Sequence, residues 1–321
     1  MNNILITSAG RRVSLVKEFQ QTAAEFDKSI KVFASDMMPE MAAACFVADN
    51  AFVVPPLSNE GYIDTLLSIC LANNIGIVIP TIDTELPLLA ANKEYFESHG
   101  INIVVSSLEF VEKCCDKRET IKMFEEYGIR FPRCVDPAHH QFPMFAKPYD
   151  GSMSKNLHVI KSADDLSENI INDPKLIFME YIDKREYSEF TVDMYYGRDN
   201  HVKAIVPRER IEIRNGEISK GITRKNYLVD FLKERMEHLP GVVGTVCIQL
   251  FYRQSDNDII GIEINPRFGG GYPMSFLSGA NFPKMIIKEY VNNQTLNYRD
   301  DWRDNMMILR YDAEVIVESQ A

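Results

Sequence analysis

The segment Glu263-Ile264-Asn265-Pro266-Arg267, followed by Phe268 and three glycines, combines residue types and spacing suited to phosphate chemistry. In extended backbone, side chains two residues apart share a face. Glu263 and Asn265 therefore project together, and Arg267 joins them if the chain stays extended past Pro266. A carboxylate and a carboxamide oxygen are hard ligands that suit Mg²⁺. An arginine beside them can stabilise charge on a phosphoryl group in transfer. Gln249 lies upstream, across the polar turn Ser255-Asp256-Asn257-Asp258, and hairpin pairing would bring it to Glu263. The plainer alternative is a strand end with ordinary polar residues and a glycine-rich turn.

Two further segments carry weaker signals. Phe145-Ala146-Lys147-Pro148 ends an apolar run with a lysine, and Gly151, Ser152, Met153, Ser154 and Lys155 follow as a small-residue loop. An ammonium and the N–H groups of such a loop can cradle nucleotide phosphates. An ordinary surface hairpin would look the same. Ile177-Phe178-Met179 runs into Glu180-Tyr181-Ile182, and Glu189 follows a charged connector. This arrangement can offer backbone to an adenine edge and a carboxylate to ribose hydroxyls, or it can be two strands and a loop.

The elements that must position these residues divide at about Asp116. Before it, short apolar runs (Ile4 to Ile6, Val32 to Ala34, Phe52 to Val54, Ile77 to Ile79, Ile103 to Val105) alternate with helical periodicity. Helices are expected over Val13 to Phe26, Tyr62 to Leu71 and Leu86 to Phe96. That alternation predicts a parallel sheet covered on both faces. A helix through Phe124 follows, and after Pro143 the pattern is mostly strands, with helices over Val229 to His238 and Lys284 to Val291 and a last strand at Glu314 to Val317.

Composition excludes several classes. The 321 residues carry 46 acidic against 35 basic side chains, a net charge of −11 that disfavours non-specific nucleic-acid binding. Residues 203–225 reverse the sign, with seven basic against three acidic residues, a pattern that can steer an anion or belong to a solvated ribbon. No apolar run has the length of a membrane span, and the N-terminus lacks a signal peptide's basic start. Six cysteines without a CxxC pair read as buried, reduced thiols of a cytoplasmic protein. Gly10-Arg11-Arg12 sits at an anion-friendly helix start, yet Thr7 to Arg12 lacks the glycine pattern of a dinucleotide-binding turn. Asp36 and Asp83 follow strands, as functional residues or as caps.

Taken in order, the Lys147 hairpin, the Glu180 hinge and the Gln249/Glu263-Ile264-Asn265-Pro266-Arg267 hairpin resemble the ATP-grasp superfamily, most closely its carbamoyl-phosphate-synthase-like members. Val206-Pro207-Arg208-Glu209-Arg210, Lys220-Gly221-Ile222-Thr223, Thr7 to Arg12 and Ile79 to Leu86 extend the resemblance over nearly the whole chain. It implies an α/β ATP-grasp fold with an N-terminal parallel-sheet, Rossmann-like domain. The expected division is 1–112, a small central lobe 113–183, and a C-terminal lobe 184–321.

The same resemblance implies roles. Lys117 and Lys147 would contact phosphates, and Gly151 to Lys155 would close over them. Glu180, Tyr181 and Ile182 would form the adenine hinge, and Glu189 would hold the ribose, with Glu186 as competitor. Gln249, Glu263 and Asn265 would bind Mg²⁺ or Mn²⁺, and Arg267 would steady the transferring phosphoryl group. Arg208, Arg210 and Arg310 are the weaker candidates for a substrate carboxylate. Met153 and Asn156 stand where the family often has glycine. The expected activity is ATP-dependent ligation of a small carboxylate to an amine, with dimers common among relatives. A catalytically silent ATP-binding module and a bicarbonate-using carboxylase are the alternatives.

Overall fold

The computed structural model describes residues 2–139, 142–150, 156–214 and 216–317. The N-terminal sheet is parallel. It contains β1 (Asn3–Ile6), β2 (Val32–Asp36), β3 (Ala51–Val53), β4 (Ile75–Ile79) and β5 (Asn102–Ile103), in the order β3-β2-β1-β4-β5. Its strands are apolar because cores lie on both faces. Ile4 and Ile6 join Val16, Phe19 and Ala23 of the helix Val13–Phe26. Leu5 joins Leu66, Leu67 and Cys70 of the helix Tyr62–Ala72 in a second core. Phe19 is fully buried, edge-on to Phe268 at 5.8 Å, and such burial contributes about 1.5–3 kcal/mol. The strand order reverses between β1 and β4. The loops leaving them, residues 7–12 and 80–85, flank the crevice where open parallel sheets collect ligands.

A small antiparallel sheet holds β6 (Met144–Pro148), β7 (His158–Ile160) and β8 (Leu176–Glu180), ordered β7-β6-β8. A larger one holds β9 (Ser188–Tyr196), β10 (Val202–Arg214), β11 (Glu217–Thr223), β12 (Gly244–Arg253), β13 (Asp258–Asn265) and β14 (Met307–Leu309), ordered β13-β12-β9-β10-β11-β14. Along β9, Phe190, Val192, Met194 and Tyr196 enter a core with Leu228, Leu232 and Met236 of the helix Tyr227–Met236. The strand period leaves Glu189, Thr191 and Asp193 on the opposite face. Register then aligns Thr191 with Arg208 on one side and Gln249 on the other, and Gln249 with Glu263.

Several sequence expectations are corrected. Leu86 to Phe96 forms two helices, Leu86–Ala91 and Lys93–Glu97. Between them Asn92 donates its amide to the Leu88 carbonyl at 2.9 Å, a local bond that competes with continuation. A helix Leu108–Cys115 was not anticipated; Asp116 separates it from Lys117–Glu126 and caps the latter by accepting from the Arg118 N–H at 2.9 Å. The expected boundary at 112/113 falls inside Leu108–Cys115, and that at 183/184 falls between β8 and β9. Glu314 to Val317 forms no strand; the β11 edge is taken instead by β14, through Ile308↔Gly221. Cys45, Cys70 and Cys247 are buried free thiols as expected, but Cys115 and Cys134 are exposed. No helix among the described residues is long and apolar enough to cross a membrane.

Candidate functional site

The hairpin β12–β13 builds the centre. Gln249 faces Glu263 in register, and Cys247 faces Asn265. Glu263 Oε1 accepts from Gln249 Nε2 at 2.6 Å and from Asn265 Nδ2 at 3.0 Å. Strand β13 ends at Asn265, and the Arg267 N–H turns back to the Asn265 carbonyl at 2.8 Å. The extended continuation past Pro266 is therefore not realised. Arg267 still reaches Asn265 Oδ1 at 3.4 Å, and its Nη2 donates to Asp83 Oδ2 at 2.6 Å. Burial pulls the Arg267 pKa down, but the charge and hydrogen bond of Asp83 outweigh it and hold the guanidinium above its ordinary value. Asp83, which sequence left between cap and function, thus ties the loop after β4 to this hairpin.

Lys147 arrives from the other sheet. It is 5% exposed at the end of β6, its Nζ donates to the Ile262 carbonyl at 3.2 Å, and it lies 5.1 Å from the Phe131 ring centroid. Burial lowers its pKa to about 8; Glu263 opposes that shift and Lys117 reinforces it. Lys117 begins the helix Lys117–Glu126, and its backbone N–H donates to the Tyr149 carbonyl at 2.9 Å, which fixes the helix start beside the end of β6. Gly151, Ser152, Ser154 and Lys155 lie outside the described residues.

Glu180 closes β8, and its side chain accepts from Arg130 at 2.7 Å and from the Arg133 N–H at 3.1 Å. Tyr181 and Ile182 follow it half-buried and outside any strand. Glu189 lies on the same face of the large sheet as Thr191 and Asp193. It is bridged to Arg210 at 2.8 Å and to Lys184 at 3.0 Å, with its side chain 13% exposed. Glu186 is 61% exposed and pairs with Arg253 at the surface. The structure thus brings Lys147, Gln249, Glu263, Asn265 and Arg267 together, with Glu189 joined to them through Arg210, which also donates to Gln249 Oε1 at 2.9 Å.

The three weaker arginine candidates fare differently. Arg208 is 1% exposed and clamps Asp193 through two hydrogen bonds of 2.8 and 3.0 Å, while Ser275 donates to the same carboxylate. This corrects its assignment to a substrate: its charge is committed inside the fold, where an unpaired partner would be costly. Gly271 makes room for it, since a Cβ there would lie 2.3 Å from Arg208 Nη1. Arg310 donates to Glu217 and to the Ile218 carbonyl, each at 3.0 Å. The positive ribbon is likewise compensated. Lys203, Arg208, Arg210 and Arg214 pair with Asp199, Asp193, Glu189 and Asp312, all outside residues 203–225. Sequence reading missed Asp193, although its even spacing from Glu189 and Thr191 marked the shared face.

Among the described residues no group of three or more His, Cys, Asp and Glu side chains could hold a metal ion. The donor set around Glu263 is of another kind, one carboxylate flanked by two carboxamides. It suits a hard cation that draws its remaining oxygens from phosphates and water. The amide N–H groups now face Glu263, so ligation by their oxygens requires each amide to turn over.

Known proteins resemble this chain in sequence and in fold. The model described as ATP-grasp in the biosynthetic pathway with Ter operon matches residues 172–312, and that described as PylC-like, N-terminal domain matches residues 4–104. The biotin carboxylase domain of the Hydrogenobacter thermophilus 2-oxoglutarate carboxylase, solved with MgADP, ADP and bicarbonate, has a TM-score of 0.71 at 14% identity, covering 95% of this chain and 73% of that one. An L-amino acid ligase from Bacillus licheniformis has a TM-score of 0.66 at 15% identity, covering 91% and 74%. The fold is the ATP-grasp fold preceded by a parallel-sheet domain, and the ATP-grasp family model falls on the lobe that carries the β12–β13 hairpin. The chain is also similar to carbamoyl-phosphate synthase of Methanobrevibacter smithii, 23% identical over 242 residues, which are 69% of this chain; the match spans 64% of that relative's length.

Proposed function

We propose that the protein is an ATP-dependent carboxylate–amine ligase. The observation that carries this reading is the meeting of Lys147, from the small sheet, with Glu263, Asn265 and Arg267, from the large one. A carboxylate oxygen attacks the γ-phosphorus of ATP, the bond to the β–γ bridging oxygen breaks, and ADP leaves with the electron pair. The amine then attacks the acyl carbon, a C–N bond forms, phosphate departs and the amine loses a proton. The first step is phosphoryl transfer, in which positioning and charge neutralisation supply most of the catalysis.

Lys147 and Lys117 would hold the phosphates, Glu180 to Ile182 the adenine, and Glu189 the ribose. Arg267, kept cationic by Asp83, would meet charge on the transferring group. Gln249, Glu263 and Asn265 would hold Mg²⁺, which when bound neutralises phosphate charge. We place the nucleotide between lobes 113–183 and 184–321, with 1–112 closing the substrate side. The use of ATP suits a cytoplasmic location.

The test is an ADP- and phosphate-release screen with Mg²⁺ against amino acids, dipeptides, sugar acids and bicarbonate, with Glu263→Gln as control. Stimulated release that Glu263→Gln abolishes is the expected result. Tight MgADP binding with no stimulated release would favour the silent module, and stimulation by bicarbonate alone would favour a carboxylase.

A further inference from the structure

We infer that Arg12 is the residue that receives the substrate's carboxylate group, organic or bicarbonate, an assignment that rests on the ligase reading above. Arg12 ends the loop that leaves β1, at the point where the order of the parallel sheet reverses. That loop is held firmly. The Thr81 hydroxyl donates to the carbonyls of Thr7 and Ser8, at 3.0 and 2.8 Å, stitching the loop after β1 to the loop after β4. Ser8, at φ 48°, donates to Glu85 at 2.9 Å, and Tyr62 donates to the same buried carboxylate at 2.5 Å. The Gly10 N–H donates to Asp36 at 3.0 Å. A guanidinium carried by so constrained a loop is placed in advance of any ligand.

Its surroundings leave a charge to be answered. Arg12 is half-buried, and its side chain makes one hydrogen bond among the described residues, Nη2 to the Thr81 carbonyl at 3.3 Å, and no ion pair. Asp83, an acid on the adjoining loop whose charge acts on Arg12, is taken by Arg267 at 2.6 Å. Glu217 is taken by Arg310 at 3.0 Å. Burial, followed by the like charge of Arg267, lowers the pKa of Arg12 to about 10, and Glu217 and Asp83 offset this only in part. Of these two guanidinium groups, Arg267 has a carboxylate in contact, Asp83, whereas Arg12 is met by Glu217 and Asp83 only through space. A carboxylate matches the planar fork of Arg12 and would relieve its repulsion with Arg267. Because Arg267 also touches Asn265, a carboxylate held there lies beside the proposed phosphoryl-transfer centre. The exposed neighbour Arg11 acts on Glu217 and Asp312 at longer range.

The test uses the full chain with MgADP bound and reads phenylglyoxal labelling of each arginine by peptide mass spectrometry. Three arms are added separately: pooled α-amino acids, pooled sugar acids, and bicarbonate. One arm should slow labelling of Arg12 by roughly tenfold or more, the worth of a charge-assisted hydrogen bond, and leave Arg11 unchanged. The protecting compound's KM should then rise on the order of ten- to a hundredfold in Arg12→Gln and Arg12→Lys, with the KM for ATP unaltered. Circular dichroism and MgADP binding check that the variants fold, and the labelling itself needs no variant. Undiminished Arg12 labelling in every arm, with MgADP bound, overturns the assignment and leaves the ligase reading standing. Failure of MgADP to bind would remove both.

Discussion

Lys147 should make nucleotide binding depend on pH in a range where an ordinary lysine would not. Burial lowers its pKa from 10.5 to about 8, with Lys117 adding to the effect and Glu263 opposing it. With that value, about nine-tenths of the free protein carries a charged Lys147 at pH 7 and about one-tenth at pH 9. If only the charged form grips phosphate, the apparent Kd for MgADP rises about tenfold between those pH values. The sign for stability follows from the same numbers. The folded pKa lies below the unfolded one, so holding the ammonium inside the fold costs up to about 3 kcal/mol below pH 8. That penalty fades as the pH climbs towards 10.5, where the unfolded chain also loses its proton. Calorimetric titration of MgADP across this range should show the tenfold weakening in wild type and a nearly flat profile in Lys147→Arg, whose charge does not titrate. Lys147→Met should unfold at a higher temperature at pH 7 and bind MgADP more weakly. A flat wild-type profile, or the same slope in Lys147→Arg, would show that the phosphate grip does not run through this ammonium.

Two further outcomes are expected. Gly271→Ala should lower stability by about 1–3 kcal/mol in thermal or urea unfolding, because its methyl would stand 2.3 Å from Arg208 Nη1 within a filled interior; unchanged stability would mean that the Arg208–Asp193 clamp moves freely. Glu189→Gln should raise the KM for ATP several-fold while Glu186→Gln, altered at the surface, leaves it unchanged; the reverse pattern would move the ribose role to Glu186.

The sequence carried the local elements well. The helix Val13–Phe26 formed over the residues its periodicity marked, and Gln249 met Glu263 as hairpin pairing required. What it misjudged depended on partners distant in the chain. Arg208 looked available because Asp193 is fifteen residues away on another strand and Ser275 is farther still. The positive ribbon looked free because Asp199, Asp193, Glu189 and Asp312 lie outside it. Glu314 to Val317 looked like a strand because β-propensity does not reveal whether a segment docks on a partner strand.

Residue types and short spacing by themselves determined the alternating βα order and the face shared by Glu263 and Asn265, since each depends on neighbours within a few residues; the order of such motifs along the chain carried the superfamily resemblance. Tertiary structure alone decided which charges cancel. It joined Asp83 to Arg267 across the chain, sealed Arg208 against Asp193, and left Arg12 without an ion pair among the described residues. Coulomb interactions act through space and strengthen as water is excluded, so the state of a charge follows from the fold that surrounds it.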